Sequence, residues 1–398
     1  MNLILIDDRI IRGDMLPLTF TRPLADLRFG IMTIREKWEK RLGLSSSSLT
    51  EEYLSEKFPC LVSTSSDNIW INGSISPSDS LILEIKNLNA GETLLKGSTF
   101  VAFNSGKTGA EPGRDSWKAT GTCVESKSEF LQVKKPWDLF RQNGEAIRED
   151  FEWITKGRKS ASLSKTNQVL GNNIFIEEGA IVECCIINTQ TGPVYIGKDT
   201  EIMEGCIIRG PFALCDHAGL KMGAKIYGPT TIGPYCKAGG EISNSILFAY
   251  SNKGHDGFLG NSVIGEWCNL GADTNNSNLK NNYGEVKLYN YPSKKAHGTG
   301  LQFCGLIMGD HAKTGINTML NTGTVAGVSA NIFGGGFPDT FIPDFSWGGA
   351  GNREEYRLEK ALEVASRMYE RRHKELTDID KRLLSNVFEL TRGVRTPG

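Results

Sequence analysis

His255 stands in a glycine-rich run, Ser251-Asn-Lys-Gly-His255-Asp-Gly-Phe-Leu-Gly260. An imidazole has an ordinary pKa near neutrality and is suited to take a proton from an attacking group. A solitary histidine is usually structural or simply exposed, so this one gains meaning only from its surroundings. Near the front, Asp7, Asp8 and Asp14 are interleaved with Arg12, Gly13 and Arg22. Such carboxylates could reach a magnesium ion and the guanidinium groups could bind phosphate; the plain alternative is a set of loop charges. Nine cysteines, at 60, 123, 184, 185, 206, 215, 236, 268 and 304, show no CxxC spacing, and His217 and His311 stand at no zinc-ligand spacing from them. Structural zinc is not expected, and in a reducing compartment the thiols are free.

The element that must position His255 is a repeat. Steps of six from Ile196 meet Ile202, Ile208, Leu214, Leu220, Ile226, Ile232 and Ala238, and the positions four further on, from Thr200 to Ile242, are almost all small or apolar. The same frame runs earlier through Leu170, Ile176 and Val182 and slips between Ile187 and Val194. A six-residue period fits neither a helix nor a simple strand; three such hexads make one triangular coil with aliphatics stacked inward and small residues at its corners. The pattern predicts a left-handed parallel β-helix. Forty-five glycines against 14 prolines, concentrated after Gly171, agree with tight regular turns. The frame is lost over residues 243–257, resumes at Phe258, Ile264 and Leu270, and breaks again over 275–304 before final coils at Ile307, Met319 and Val325. The segment holding His255 is therefore expected to leave the coil, and such excursions commonly carry binding groups.

Four segments are expected: 1–135, 136–168, 169–333 and 334–398. In the first, residues 3–6, 61–63, 69–71, 81–85 and 99–103 are strand candidates and 31–42 a helix with Ile34, Trp38 and Leu42 on one face, an α/β alternation. The serine run 45–48 is read as a solvated loop, and 136–159, with Trp137, Phe140, Phe151 and Trp153, as a linker and docking segment. After a Gly- and aromatic-rich stretch, Tyr356, Leu358, Leu362, Ala365, Met368 and Tyr369 form one helical stripe. That C-terminal helix is expected to cap the coil or pack on a neighbouring subunit.

Lys and Arg total 45 against 46 Asp and Glu, so no broad positive field exists for a nucleic acid or an anionic membrane. Asp7, Asp8 and Arg9 follow directly on a short apolar run, and no stretch has transmembrane length, so a cytoplasmic location is expected.

Two stretches carry a resemblance. Ser251 through Gly265, continuing to Asn269-Leu-Gly-Ala-Asp-Thr274 and Asn278, and Gly309-Asp-His-Ala-Lys-Thr-Gly315-Ile-Asn317 resemble the acetyltransferase domain of bifunctional UDP-N-acetylglucosamine pyrophosphorylase/glucosamine-1-phosphate N-acetyltransferases, especially the archaeal form. At the front, Leu16-Pro-Leu-Thr-Phe-Thr-Arg-Pro-Leu24 is similar to the signature of sugar-1-phosphate nucleotidyltransferases. The whole chain resembles a variant bacterial branch of that bifunctional family. The resemblance implies a Rossmann-like α/β nucleotidyltransferase-like domain ahead of the β-helix, and a homotrimer built through the β-helix. It implies His255 as general base, Glu241 receiving the substrate amine, Asn278 contacting the sugar, and Asn269 and Ala272 seating acetyl-CoA. A glutamate such as Glu241 is otherwise as readily a surface charge, and Ala272 ordinary coil packing. Arg12, Gly13 and Arg22 would hold the nucleotide, with Asp7, Asp8 or Asp14 on Mg²⁺.

The sequence departs from that family at several points. A phosphate-gripping arginine is replaced by Leu214 and a substrate lysine by Ser243, with Lys253, Lys225 or Arg209 as alternatives. The Gly-rich phosphate loop, over residues 6–14, keeps only Gly13; Asn72-Gly73 stands where a Gly-Asp pair supplies a metal ligand. A serine of the bacterial cofactor site is Ile316, as in the archaeal form. The implied activity is acetyl-CoA-dependent N-acetylation of an amino-sugar 1-phosphate and uridylyl transfer, giving UDP-N-acetylglucosamine or a related nucleotide sugar. Its rivals are an acyltransferase with an inert front domain, a non-catalytic sugar-nucleotide sensor, and a β-helix scaffold.

Overall fold

The computed structural model describes residues 1–112 and 121–395. The chain divides into two units, the first comprising Met1–Met15, Thr21–Leu27 and Met32–Lys135, the second Leu16–Phe20, Arg28–Ile31 and the chain from Pro136 onward.

The first unit is built on a mixed sheet. β1 (Asn2–Ile6), β2 (Ser46–Leu49), β3 (Asn68–Asn72), β4 (Glu92–Lys96), β5 (Thr99–Asn104) and β6 (Thr122–Glu125) lie in the order β2-β1-β3-β5-β4-β6. β1 is parallel to β2 and β3, while β5 runs antiparallel to β3 and β4. The unbroken apolar run Leu3 to Ile6 suits a strand covered on both faces, and all four residues are buried. Helix α1 (Arg9–Asp14) follows β1 directly. Helix α2 (Ile34–Leu42) starts at a capping box between Thr33 and Glu36 and buries Trp38, whose indole N–H donates to the Ile75 carbonyl at 2.8 Å.

Three expectations for this unit are corrected. Residues 81–85 are helical, within α3 (Asp79–Lys86): Ser78 caps it, Leu81, Ile82 and Ile85 are buried at helical spacing, and Leu83 is 62% exposed. The serine run is strand β2. Its hydroxyls satisfy one another's neighbours inside the fold, Ser46 and Ser48 with Arg35, Ser46 with Glu39, and Ser47 with the Leu61 main chain. Residues 61–63 form no strand, and Leu61 and Val62 are exposed.

In the second unit, α4 (Pro136–Thr155) covers the first face of the coil through Ile147, which packs with Ile31, Phe175, Tyr195, Ala213 and Cys215. The coil has the expected three faces. The first is a nine-stranded parallel ladder from Ile174–Ile176 to Phe341–Ile342; the second, starting at Ile181–Val182, has nine parallel strands and a tenth that returns antiparallel. The third carries six strands from Gln168–Leu170 to Phe258–Gly260, after which Asn275–Asn276 and Met319–Leu320 form a separate parallel pair. The stepped aliphatics, Ile196 to Ala238, all lie in one buried core, each stabilising the stack by roughly 1.5–3 kcal/mol where the side chain is large.

Both ends of the coil are closed by other elements. At the start, Ala161 N donates to Ile176 O at 2.8 Å and Asn167 Nδ2 to Val182 O at 2.7 Å. At the finish, Asn352–Glu355 turns back antiparallel on Ser346–Gly349, with all four of its residues exposed. A hairpin, Lys287–Asn290 with Lys295–Gly298, grows from the interruption after Asn276, and in its turn Tyr291 donates to the fully buried Asp344 at 2.9 Å.

The tail is not one helix: α5 (Leu358–Glu370) and α6 (Asp378–Leu390) are separated where His373 takes φ 54° and Thr377 starts a new capping box, and a single turn, Arg392–Arg395, follows. In the turns from first to second face beyond the first, where Gly179 takes the position, a non-glycine residue adopts the left-handed region, among them His217, Tyr235, Tyr250 and Trp267 at φ 55–59°. Their rings stack, 4.7, 4.9 and 4.3 Å apart in succession, and Tyr369 of α5 stacks on Trp267 at 4.0 Å. Among the described residues no helix is long and apolar enough to cross a membrane, and all nine cysteines are free.

Candidate functional site

The stretch around His255 stays in the coil. Leu247 pairs with Ile232 below and Ile264 above, and Lys253 pairs with Ala238. The six-residue frame disappears from the sequence because this coil is shorter and its inward position is held by Lys253, only 1% exposed. In the next strand the inward residue is Leu259, 1% exposed, while Phe258 faces out and is half-buried.

The turn carrying His255 is exposed outside and fastened within. Lys253 Nζ donates to His255 O at 2.6 Å and Asp256 O at 3.0 Å. Burial pulls the lysine pKa down to about 8, against the opposite influence of Asp256 and Asp273. Asp273 N donates to Asp256 O at 3.0 Å, Glu241 N to Gly257 O at 3.2 Å and Phe258 N to Asn275 Oδ1 at 2.8 Å. Gly240 has φ +71°, and a Cβ there would lie 2.8 Å from His255 O, so the turn requires a glycine beneath it.

Glu241 lies outward on the third face, in register between Lys225 and Phe258. The turn containing Ala272 stacks on the His255 turn, and Asn269 pairs with Asn252 one coil below. His255, Glu241 and Ala272 therefore gather at one corner. Asn278 stands at the opposite corner of the third face, past Gly260, with its Nδ2 bonded to Asn261 Oδ1 at 2.7 Å, roughly 10 Å away by the rise of a three-residue strand.

The expected cationic substitutes fare differently. Lys253 is engaged with two carbonyls inside the coil and is not presented as a phosphate grip. Leu214 points inward at 0% exposure, so the arginine expected at that place would be in the core. Lys225 and Arg209 are both exposed on the third face, Lys225 directly beside Glu241. Asn275 and Asn276 were not singled out by sequence reasoning; their amides bridge the third face above Phe258–Gly260, Asn276 Oδ1 taking Gly260 N at 2.9 Å. Two adjacent asparagines where the aliphatic of a third-face strand would fall were the available signal.

In the first unit, the front carboxylates are turned to internal use. Asp7 is buried and accepts from Leu24 N at 2.7 Å and Thr50 Oγ1 at 2.5 Å, with Arg12 Nε at 3.3 Å. Burial pushes its pKa up to about 6 in spite of Arg12 and these hydrogen bonds. Asp8 caps α1 through Ile10 N and Ile11 N, Asp14 pairs with Lys135 at 2.7 Å, and Arg12 Nη2 donates to Tyr53 at 2.6 Å. Gly13 is inside α1, and Arg22 is buried beside Thr21. Asn72 is also buried, donating to Phe100 O and accepting from Ser74 N and Oγ. Asp7, Asp8 and Asn72 are thus engaged in internal hydrogen bonds, and among the described residues no three His, Cys, Asp or Glu side chains gather where they could hold a metal ion.

Residues 3–159 match the family model described as sugar nucleotidyl transferase. A bifunctional protein GlmU of Methanocaldococcus jannaschii is 29% identical over 49% of this chain and 41% of its own length. A bifunctional sugar-1-phosphate nucleotidylyltransferase/acetyltransferase of Sulfurisphaera tokodaii is 27% identical over 53% of this chain and 47% of its own. The chain thus spans less than half the length of these relatives. A solved UDP-N-acetylglucosamine acyltransferase from Campylobacter jejuni is 12% identical, covering 57% of this chain and 96% of its own with a TM-score of 0.23.

Proposed function

We propose, for a chain that joins a sugar nucleotidyltransferase domain to a hexapeptide acyltransferase region in distant homology to bifunctional GlmU proteins, that the coil transfers an acetyl group from acetyl-CoA to the amine of an amino-sugar 1-phosphate. Glucosamine 1-phosphate is the proposed acceptor, and UDP-N-acetylglucosamine or a related nucleotide sugar the eventual product. The observation that carries the reading is the exposed His255 turn held beside Glu241 at one corner of the coil.

In the proposed step the amine nitrogen attacks the thioester carbonyl, His255 takes the amine proton, the C–S bond breaks and the CoA thiolate leaves as the acceptor of a proton. Glu241 orients the amine, main-chain amides stabilise the oxyanion, and Lys225 beside Glu241 supplies positive charge for the phosphate. Asn278 reaches a sugar lying along the third face, and Asn269 and Ala272 border the acetyl-CoA. Exposed Ile186, Ile207 and Tyr227 on the third face support association through the coil; a homotrimer in the cytoplasm is the proposed form.

The test is thiol release from acetyl-CoA with glucosamine 1-phosphate, wild type beside His255→Ala. Turnover should fall about 10²–10⁴-fold with the oligomer intact; unchanged turnover removes His255 from the reaction. A second reading, acyl transfer with an inert front domain, is favoured by helix α1 replacing the Gly-rich loop and by the internal commitments of Asp7, Asp8 and Asn72. Pyrophosphate release on adding UTP and Mg²⁺ would exclude it, and its absence would support it.

A further inference from the structure

We infer that Lys253 positions His255: its buried ammonium, inside the core of the coil, sets the orientation of the turn that carries the proposed base. The inference rests on the reading of His255 given above, and the observations behind it are geometric.

Coil packing supplies no reason for a lysine here. The inward positions stacked with it along the second face are Leu220, Ala238, Leu270, Thr314 and Ile332, and Lys253 is as buried as they are. Withdrawing an ammonium from water is costly, a cost that a leucine at this place would avoid. Ala238, the small residue of the series, lies directly beneath and leaves room for the lysine stem. The ammonium bonds two successive carbonyls, those of His255 and Asp256, so it fixes both peptide planes that follow the imidazole-bearing residue. Asp256 and Asp273 are the charged groups facing it. Glu241 N, Asp273 N and Asn275 Oδ1 hold the rest of the turn, leaving the Lys253 side chain as the support that reaches it from inside. Lys253 is enclosed within the coil and acts through His255.

The experiment compares full-length wild type, Lys253→Met and Lys253→Gln by thermal melting, kcat and KM for acetyl-CoA, and imidazole ¹H–¹⁵N NMR, with the His255 signal assigned by its loss in His255→Ala. Methionine suits the inward position, so Lys253→Met should melt within a few degrees of wild type or above it. Its kcat should fall about ten- to a hundredfold with KM for acetyl-CoA unchanged, and the His255 signal alone among the histidines should shift or broaden. Lys253→Gln keeps a donor and should fall between. The inference is overturned if Lys253→Met retains kcat and the wild-type His255 signal. It is equally overturned if every histidine signal collapses together with the melting temperature, since Lys253 would then hold the coil and not the turn. If wild type releases no thiol, the proposed reaction fails, and the His255 signal alone decides the positioning role.

Discussion

Asp344 offers a quantitative test of the packing at the finishing end of the coil. It is 0% exposed, accepts from Val328 N at 2.7 Å and Tyr291 OH at 2.9 Å, and burial lifts its pKa from 3.8 to about 6 in spite of those bonds. A carboxyl with a raised folded-state pKa holds its proton more tightly folded than unfolded. Stability therefore falls as pH rises from about 4 to about 6 and stays lower above it. A shift of about two units corresponds to about 3 kcal/mol. Asp344→Asn removes the charge and keeps the acceptor for Val328 N; weakening the Tyr291 bond costs about 1 kcal/mol. The variant should then be more stable than wild type by about 2 kcal/mol at pH 7.5 and less stable by about 1 kcal/mol at pH 4. Urea unfolding at half-unit pH steps, taken as the difference between the two proteins, cancels groups such as Asp7 that titrate in the same window. A flat difference curve, or a variant destabilised at pH 7.5, would refute the reasoning and mean that the carboxylate is better solvated by its hydrogen bonds than its burial implies.

Tyr369→Ala should remove the stacking on Trp267, worth about 1 kcal/mol beyond the area buried; hydrogen exchange should quicken in Leu358–Glu370 while the coil amides keep their protection. Gly233→Ala would place a Cβ 1.6 Å from Phe248 O, and should cost more than about 3 kcal/mol, read as a fall in melting temperature; a melting point equal to wild type would show that the strand can shift to admit a methyl group.

The coil was legible because its inward positions recur with one chemistry: from Ile196 to Ala238 every predicted core residue is buried. Legibility ended where the chemistry of that position changed. Lys253 broke the pattern, and the sequence reading lost the coil there, although the backbone continues in register. In the first unit, residues 81–85 are apolar enough for either a strand or a helix, and only Ser78 as cap distinguishes them. The serines of β2 are polar, yet Arg35 and Glu39, on α2, supply the partners that let them join a sheet. At the candidate site, the resemblance named His255, Glu241, Ala272 and Asn278 together, but it did not foretell that Asn278 stands at the far corner. That separation depends on which residues turn, a property of three-dimensional coil geometry. The contact of Arg28 Nε with Phe248 O at 2.9 Å, made across 220 positions of sequence, had no local signal at all.

A parallel ladder of stacked coils has no natural length, since its last strand offers the same unpaired amides and carbonyls as every strand before it. Here the returning strand Asn352–Glu355 spends that edge on an antiparallel partner and presents an arginine and two glutamates to solvent, while Asn167 and Ala161 occupy the opposite edge. Charged, reversed or side-chain-blocked edges are how β proteins resist joining end to end. Removal of either cover would expose strand edges able to pair with another chain, so these two short segments guard the coil against association as well as closing it.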